Sequence, residues 1–248
     1  MKASIFITCI CDSIYPQVGE AMVRVLEKQG VTLDFPPRQT CCGQPAINSG
    51  YWDDARVVAK SILDSFQDSE CVVVPAGSCL VAIKEFYPAL FAADRHYAKL
   101  AEELIGKIYE FSEFLVLKLH LESIGACFPH KVTYHSSCHA KRFLKTDQCI
   151  YTLLDNVKDL EFIHLPHEEM CCGFGGTFSI KLPEISAAMV DEKVANIVKT
   201  GADVLVGTDM SCLMNIDGRL RKRESKVRVM HIAQLLDEGL KYDGKTQG

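Results

Sequence analysis

No stretch of this 248-residue chain approaches the ~20 consecutive apolar residues that a membrane span requires, so it is expected to reach a bilayer only through a partner. The charge balance is similarly featureless. A formal net charge of −5 supplies no whole-chain field toward nucleic acid or an anionic surface, and neither is expected as a partner. There is no Gly-x-Gly-x-x-Gly after a strand and no phosphate-cradling Gly-x-x-x-x-Gly-Lys-Ser/Thr, which removes a flavin, nicotinamide or nucleotide site of the chain's own. The stretch Gly173-Phe-Gly-Gly176 is too irregular to replace them. No ferredoxin-type Cys-x-x-Cys-x-x-Cys run occurs either. Residues 1–91 lack histidine altogether. The opening run Met1 to Cys11 has no small-residue cleavage site and reads as a first strand, so the expected location is the cytoplasm.

What the chain has is cysteine, twelve residues of it. In a reducing compartment these point to metal ligation or redox chemistry rather than disulfides. Their order repeats. Cys9 maps to Cys138 (138 − 9 = 129), Cys41 and Cys42 map to Cys171 and Cys172 (171 − 41 = 130), and Cys79 maps to Cys212 (212 − 79 = 133). Each Cys-Cys pair is followed by glycine, Gly43 or Gly173, and each last cysteine follows serine.

The intervening pattern repeats too. Val18, Met22, Val25 and Leu26 share a helical face before Gly30, and Val31, Leu33 and Phe35 then alternate as a strand. A weaker helix near Cys149 to Asp155 and a strand from Leu160 to Leu165 answer them. Longer helical stripes follow each Cys-Cys-Gly, from Trp52 to Phe66 and from Ile185 to Val198, each leading to an apolar strand, Cys71 to Val74 and Val204 to Val206. The expected fold is α/β, two pseudo-repeated cysteine-rich βαβαβ modules with mainly parallel sheets, one over residues 1–125 and one over 126–248, divided near Gly125 and Pro129. A closing echo, Ile108 to Val116 against Val229 to Asp237, comes later in copy one, where a helical pattern from Tyr97 to Ile108 fills an insertion.

Thiolates are soft ligands that select iron–sulfur clusters, zinc or copper(I). Adjacent cysteines address different irons of a cluster more easily than they share one tetrahedral zinc, which favours the cluster. A glycine after each pair fits a backbone with positive φ or one passing close to sulfide. Zinc is the rival metal because His135, His139, His164 and His167 lie near the copy-two cysteines. Copy one keeps the cysteine frame without histidine, so these four are read as loop or outer residues. Thiol–disulfide chemistry at the Cys-Cys pairs is a further alternative. Cys71, Cys127 and Cys149 are read as packing residues and Cys11 as a non-ligand. The basic run Arg219, Arg221, Lys222, Arg223, Lys226 and Arg228 is read as a solvated connector, with docking of an acidic partner as the other possibility.

The strings Thr40-Cys-Cys-Gly-Gln-Pro-Ala46, Asn48-Ser-Gly-Tyr51, Ser137-Cys-His139 and Glu169-Met-Cys-Cys-Gly-Phe-Gly-Gly-Thr-Phe178, with Cys9, Asp12 and Tyr15-Pro16, resemble the lactate utilization protein A family. That family belongs to a cysteine-rich CCG-domain group with the CCG-bearing subunit of heterodisulfide reductase and the iron–sulfur subunit of glycolate oxidase. The resemblance covers essentially the whole chain. It implies an iron–sulfur electron-transfer subunit, non-catalytic or partial by itself, of a complex that oxidises L-lactate to pyruvate. The implied partners are a ferredoxin-like iron–sulfur subunit and a third protein of the same pathway. The implied ligands are Cys9, Cys41, Cys42 and Cys79, then Cys138, Cys171, Cys172 and Cys212. The wider group often ends each module in Cys-x-x-Cys. Here Ala76 and Asp209 hold the earlier position, so one four-thiolate [4Fe–4S] cluster per module is the expectation, and Asp209 is open as an oxygen ligand or a turn cap.

Overall fold

The structure is a computed structural model that describes residues 1–242. It divides into two compact units, the first ending at Phe111 and the second beginning at Ser112. The division falls ahead of Gly125 and Pro129. The segment after Phe111 packs with the second unit, where the Ser123 hydroxyl donates to the Asn156 carbonyl and the Lys158 N–H donates to the Ala126 carbonyl.

The first unit is built on β1 (Lys2–Ile5), β2 (Thr32–Asp34), β3 (Val72–Val74) and β4 (Ile108–Glu110), in the order β2-β1-β3-β4 with every pairing parallel. The second repeats it with β5 (Lys131–His135), β6 (Glu161–Ile163), β7 (Val204–Gly207) and β8 (Arg228–His231), in the order β6-β5-β7-β8. The α/β reading with paired parallel sheets therefore holds, and each unit adds a fourth strand. The helical stripe expected to run to Ile108 stops at Ile105, in helix Arg95–Ile105; Gly106 and Lys107 turn the chain and Ile108 opens β4. Three residues are too few for period-2 alternation to mark a strand.

Central strands of a parallel sheet are covered on both faces, so they read as continuous apolar runs. Val72, Val73 and Val74 are wholly buried, as are Val204, Leu205 and Val206. Helix Pro16–Lys28 buries Val18, Met22, Val25 and Leu26, the stripe its 3.6-residue period describes. Helix Trp52–Phe66 buries Ala55, Ala59, Ile62, Leu63 and Phe66, with Phe66 edge-on to Phe6 at 5.5 Å. Burial of such a side chain contributes about 1.5–3 kcal/mol.

The basic run is a connector only in part, at Arg223 and Lys226, which lie exposed between helix Met210–Lys222 and β8. Its first members form the last turn of helix Met210–Lys222, where cations suit the helix dipole, and acids neutralise several of them. Arg219 and Arg223 both bond Asp191, Arg221 pairs with Asp217 at 2.7 Å, and Arg228 pairs with Glu238 at 2.9 Å.

Candidate metal centre

In a parallel sheet all strands present their carboxyl ends at one edge, where α/β folds build their sites. Cys9 follows β1, Cys41 and Cys42 follow β2, and Cys79 follows β3. Those three strands are neighbours, so four thiols separated in sequence are delivered to one place. The same holds after β5, β6 and β7 for Cys138, Cys171, Cys172 and Cys212. Cys79 and Cys212 each sit in the first turn of a helix, Gly77–Val81 and Met210–Lys222, where unpaired N–H groups favour negative charge.

The thiols meet in series. The Cys9 Sγ lies 3.8 Å from the Cys41 Sγ, and Cys41 contacts Cys42, which contacts Cys79. Cys138, Cys171, Cys172 and Cys212 form the same chain of contacts. In each set the second cysteine of the pair and the last cysteine are buried, whereas the other two reach the surface. Thiols in contact cannot all ionise unless a cation compensates them. One per set is favoured. Hydrogen bonds from Cys42 and then Cys9 draw Cys41 down to about 2; those from Cys138 and then Cys172 draw Cys171 down to about 2. Contact with these thiolates, then burial, pushes Cys9 and Cys138 up. Cys42 and Cys172 are pushed up by contact with Cys41 and Cys171 first, then by Cys79 and Cys212, and by burial. Such a donor set suits a soft, polycationic group.

The backbone around each pair is duplicated as well. Gly43 and Gly173 have φ of +83° and +82°, and their N–H groups donate to Cys41 Sγ and Cys171 Sγ at 3.4 Å. The Cys42 carbonyl accepts from the Tyr87 hydroxyl at 3.0 Å, and the Cys172 carbonyl accepts from Asn215 Nδ2 at 2.8 Å. A side chain from the segment after the last cysteine thus ties down the loop carrying the pair in both units.

The cysteines read as packing residues lie elsewhere in the fold. Cys71 and Cys149 are buried and Cys127 is half-buried, its Sγ 3.4 Å from Asp159 Oδ2. Cys11 is buried on helix Cys9–Ile14. Asp209 caps helix Met210–Lys222, its Oδ1 accepting from the Ser211 N–H at 3.1 Å and from the Ser211 hydroxyl at 2.5 Å.

Two residues change the second site. His135 is not a loop residue but the last residue of β5, 1% exposed, and its ring lies with the sulfurs of Cys172 and Cys212 in a group whose ligand atoms are all within 4.8 Å of one another. Burial, then the Lys193 charge, holds its imidazole down at about 3, so it is neutral. Lys193 is wholly buried and donates to the carbonyls of His167 and Glu168 at 3.1 and 3.2 Å. Its ammonium faces Cys172, Cys171 and Cys212. The sequence carried a signal for it: Lys193 lies on the stripe of Val190, Val194 and Ile197. The other histidines are peripheral. His139 Nδ1 lies 3.5 Å from Cys138 Sγ with its ring on Phe143, His164 packs on Tyr151 and Phe162, and His167 is exposed.

The cysteine-rich domain family designated CCG matches residues 3–84 and 132–217, the two stretches that carry these cysteine sets. Lactate utilization protein A of Shouchella clausii (strain KSM-K16) is 49% identical over 237 residues, covering 96% of this chain and 99% of that protein. The chain belongs to the lactate utilization protein A family. Lactate utilization protein A 1 of Bacillus mycoides (strain KBAB4) is also 49% identical, over 98% of this chain and all of that one, and the Bacillus subtilis (strain 168) member is 49% identical over 237 residues. Among solved structures, a hypothetical protein from Helicobacter pylori superimposes over 98% of this chain with a TM-score of 0.63 at 13% identity. This family member spans 49% of that protein's length, and the likeness is one of fold alone.

Proposed function

We propose that the chain is an electron-carrying subunit of a system that oxidises L-lactate to pyruvate, each set of four cysteines holding one iron–sulfur cluster. The carrying observation is the duplicated series of four contacting thiols at a parallel sheet edge. A cluster, when bound, supplies one-electron transfer at a potential set by its ligands and surroundings. The protein's part is to hold the thiolates together, to keep two of each set out of water, and to fix the Cys-Cys loop from both sides. Lactate as the substrate of the system follows from the family's naming. The partners proposed for it are a ferredoxin-like iron–sulfur subunit and a third protein of the same pathway.

Zinc is the second reading, favoured by the mixed nitrogen and sulfur donors of His135, Cys172 and Cys212. The first unit argues against it, since its thiol series has no histidine among residues 1–91. Anaerobic purification of the full chain followed by iron, sulfide and zinc analysis separates the readings. Iron and sulfide in equal, multi-atom amounts support the cluster; a colourless chain with stoichiometric zinc refutes it. In the host, deletion of the gene with no other lactate dehydrogenase present should abolish growth on L-lactate, and undiminished growth would refute the pathway. The purified chain should not turn over lactate with an artificial acceptor unless its partners are added.

A further inference from the structure

We propose that His135 supplies a nitrogen ligand to the metal group of the second site, making that site a mixed imidazole–thiolate centre while the first is all-thiolate. The inference rests on the reading that the cysteines hold clusters.

Both ring nitrogens of His135 are buried without a hydrogen-bond partner among the described residues. Buried polar groups are almost always satisfied, so an orphan pair of this kind points to a ligand that the ring is placed to meet. The neighbours leave a metal in that role. Lys193 is already committed to the His167 and Glu168 carbonyls, and Asp209 Oδ1 to Ser211. The sulfurs of Cys172 and Cys212 lie with the ring in one group whose ligand atoms are all within 4.8 Å of one another, near enough to share a metal with it.

The repeat supplies an independent comparison. Phe6 stands three residues before Cys9, as His135 stands three before Cys138. Phe6 is wholly buried against Phe66, so packing at this place in the fold is served by an apolar ring. Exchange of that ring for imidazole only where the thiols of the second set lie is a chemical difference, not a steric one. His135 is also held firmly. It ends the central strand β5 and pairs with Gly207 of β7, so the ring's origin is set by the sheet. A four-iron cluster offers one terminal position per iron, so the neutral imidazole stands in place of one thiolate of the second set, and replacing thiolate by neutral nitrogen raises a cluster's potential.

The test uses the full chain, purified anaerobically, reduced with dithionite and labelled with ¹⁵N-histidine. Pulsed electron paramagnetic resonance should show a strongly coupled histidine nitrogen whose signal changes isotope pattern with the label. His135→Phe, which copies the first unit, should abolish that coupling, retain the first-site signal, and lower the potential of the second site in a redox titration. His139→Ala should leave the coupling in place. An iron-loaded wild type without strong histidine coupling overturns the proposal, as does a coupling that survives in His135→Phe or vanishes in His139→Ala. If His135→Phe fails to fold, the proposal is still overturned by a labelled wild type without strong coupling, or by loss of the coupling in His139→Ala. A chain that takes up no iron or sulfide overturns the cluster reading itself and this proposal with it, an outcome distinct from iron without nitrogen coupling.

Discussion

The two glycines that follow the cysteine pairs offer a comparison in which the repeat serves as its own control. Gly43 and Gly173 share a left-handed backbone, φ +83° and +82°, so alanine at either should cost about 1–2 kcal/mol from the conformation alone. Their surroundings differ. A Cβ on Gly43 would lie 3.4 Å from the Ala55 carbonyl oxygen, a tight contact that a small shift relieves. On Gly173 it would lie 2.7 Å from the Ser186 carbonyl oxygen and 3.1 Å from Met189 Cβ, with no flexible end to yield. Relief requires the loop to move off helix Pro183–Lys199, which breaks the 2.8 Å hydrogen bond from the Ser186 hydroxyl to the Gly173 carbonyl and costs about another 1 kcal/mol. At about 2–4 °C per kcal/mol for a chain of this size, Gly173→Ala should melt roughly 2–4 °C below Gly43→Ala, read by circular dichroism on anaerobic protein. The displaced loop carries Cys171 and Cys172, so Gly173→Ala should also lose second-site iron first. Equal melting points and equal iron contents in the two variants would refute the reasoning, since they would mean that the Ser186 contact does not constrain the loop.

Loss of one thiolate should act locally: Cys172→Ser is expected to remove roughly half the iron and leave the first-site spectrum, while Cys71→Ser should change stability without changing iron content. Complete iron loss from a folded Cys172→Ser chain would show one shared site. Tyr87→Phe leaves the Cys42 carbonyl without its donor and should destabilise by about 1–3 kcal/mol, measured as a lowered melting point; no change would show that this hydroxyl is dispensable. Lys193→Met removes a buried cation beside three thiols, so the second-site potential should fall while the first stays fixed, and a redox titration in which both move together would contradict the assignment.

The repeat and its eight thiols were legible in the sequence because a domain built twice leaves the same residues at the same spacing twice. Apolar periodicity likewise marked the long helices: the stripes on Pro16–Lys28 and Trp52–Phe66 are the faces those helices bury. Of the two readings of the glycine after each pair, close approach to sulfide or a positive φ, the positive φ is observed. The fourth strands were hidden, since Ile108–Glu110 has too few residues to show a period. The capping role of Asp209 needed the structure, in which its Oδ1 accepts from both the Ser211 N–H and the Ser211 hydroxyl.

Sequence alone therefore determined the duplicated set of eight cysteines, a matter of local identity and spacing along the chain. Tertiary structure decided what distinguishes the two halves of that set. His135, Asn215 and Tyr87 reach the cysteines across strand register and helix packing, and a contact between residues far apart in sequence leaves no periodic trace; the apolar stripe marked the burial of Lys193 but not its thiol neighbours. Burial does the rest: the same imidazole in a solvated loop would be satisfied by water, whereas at the end of β5 both its nitrogens are held out of water beside the thiols.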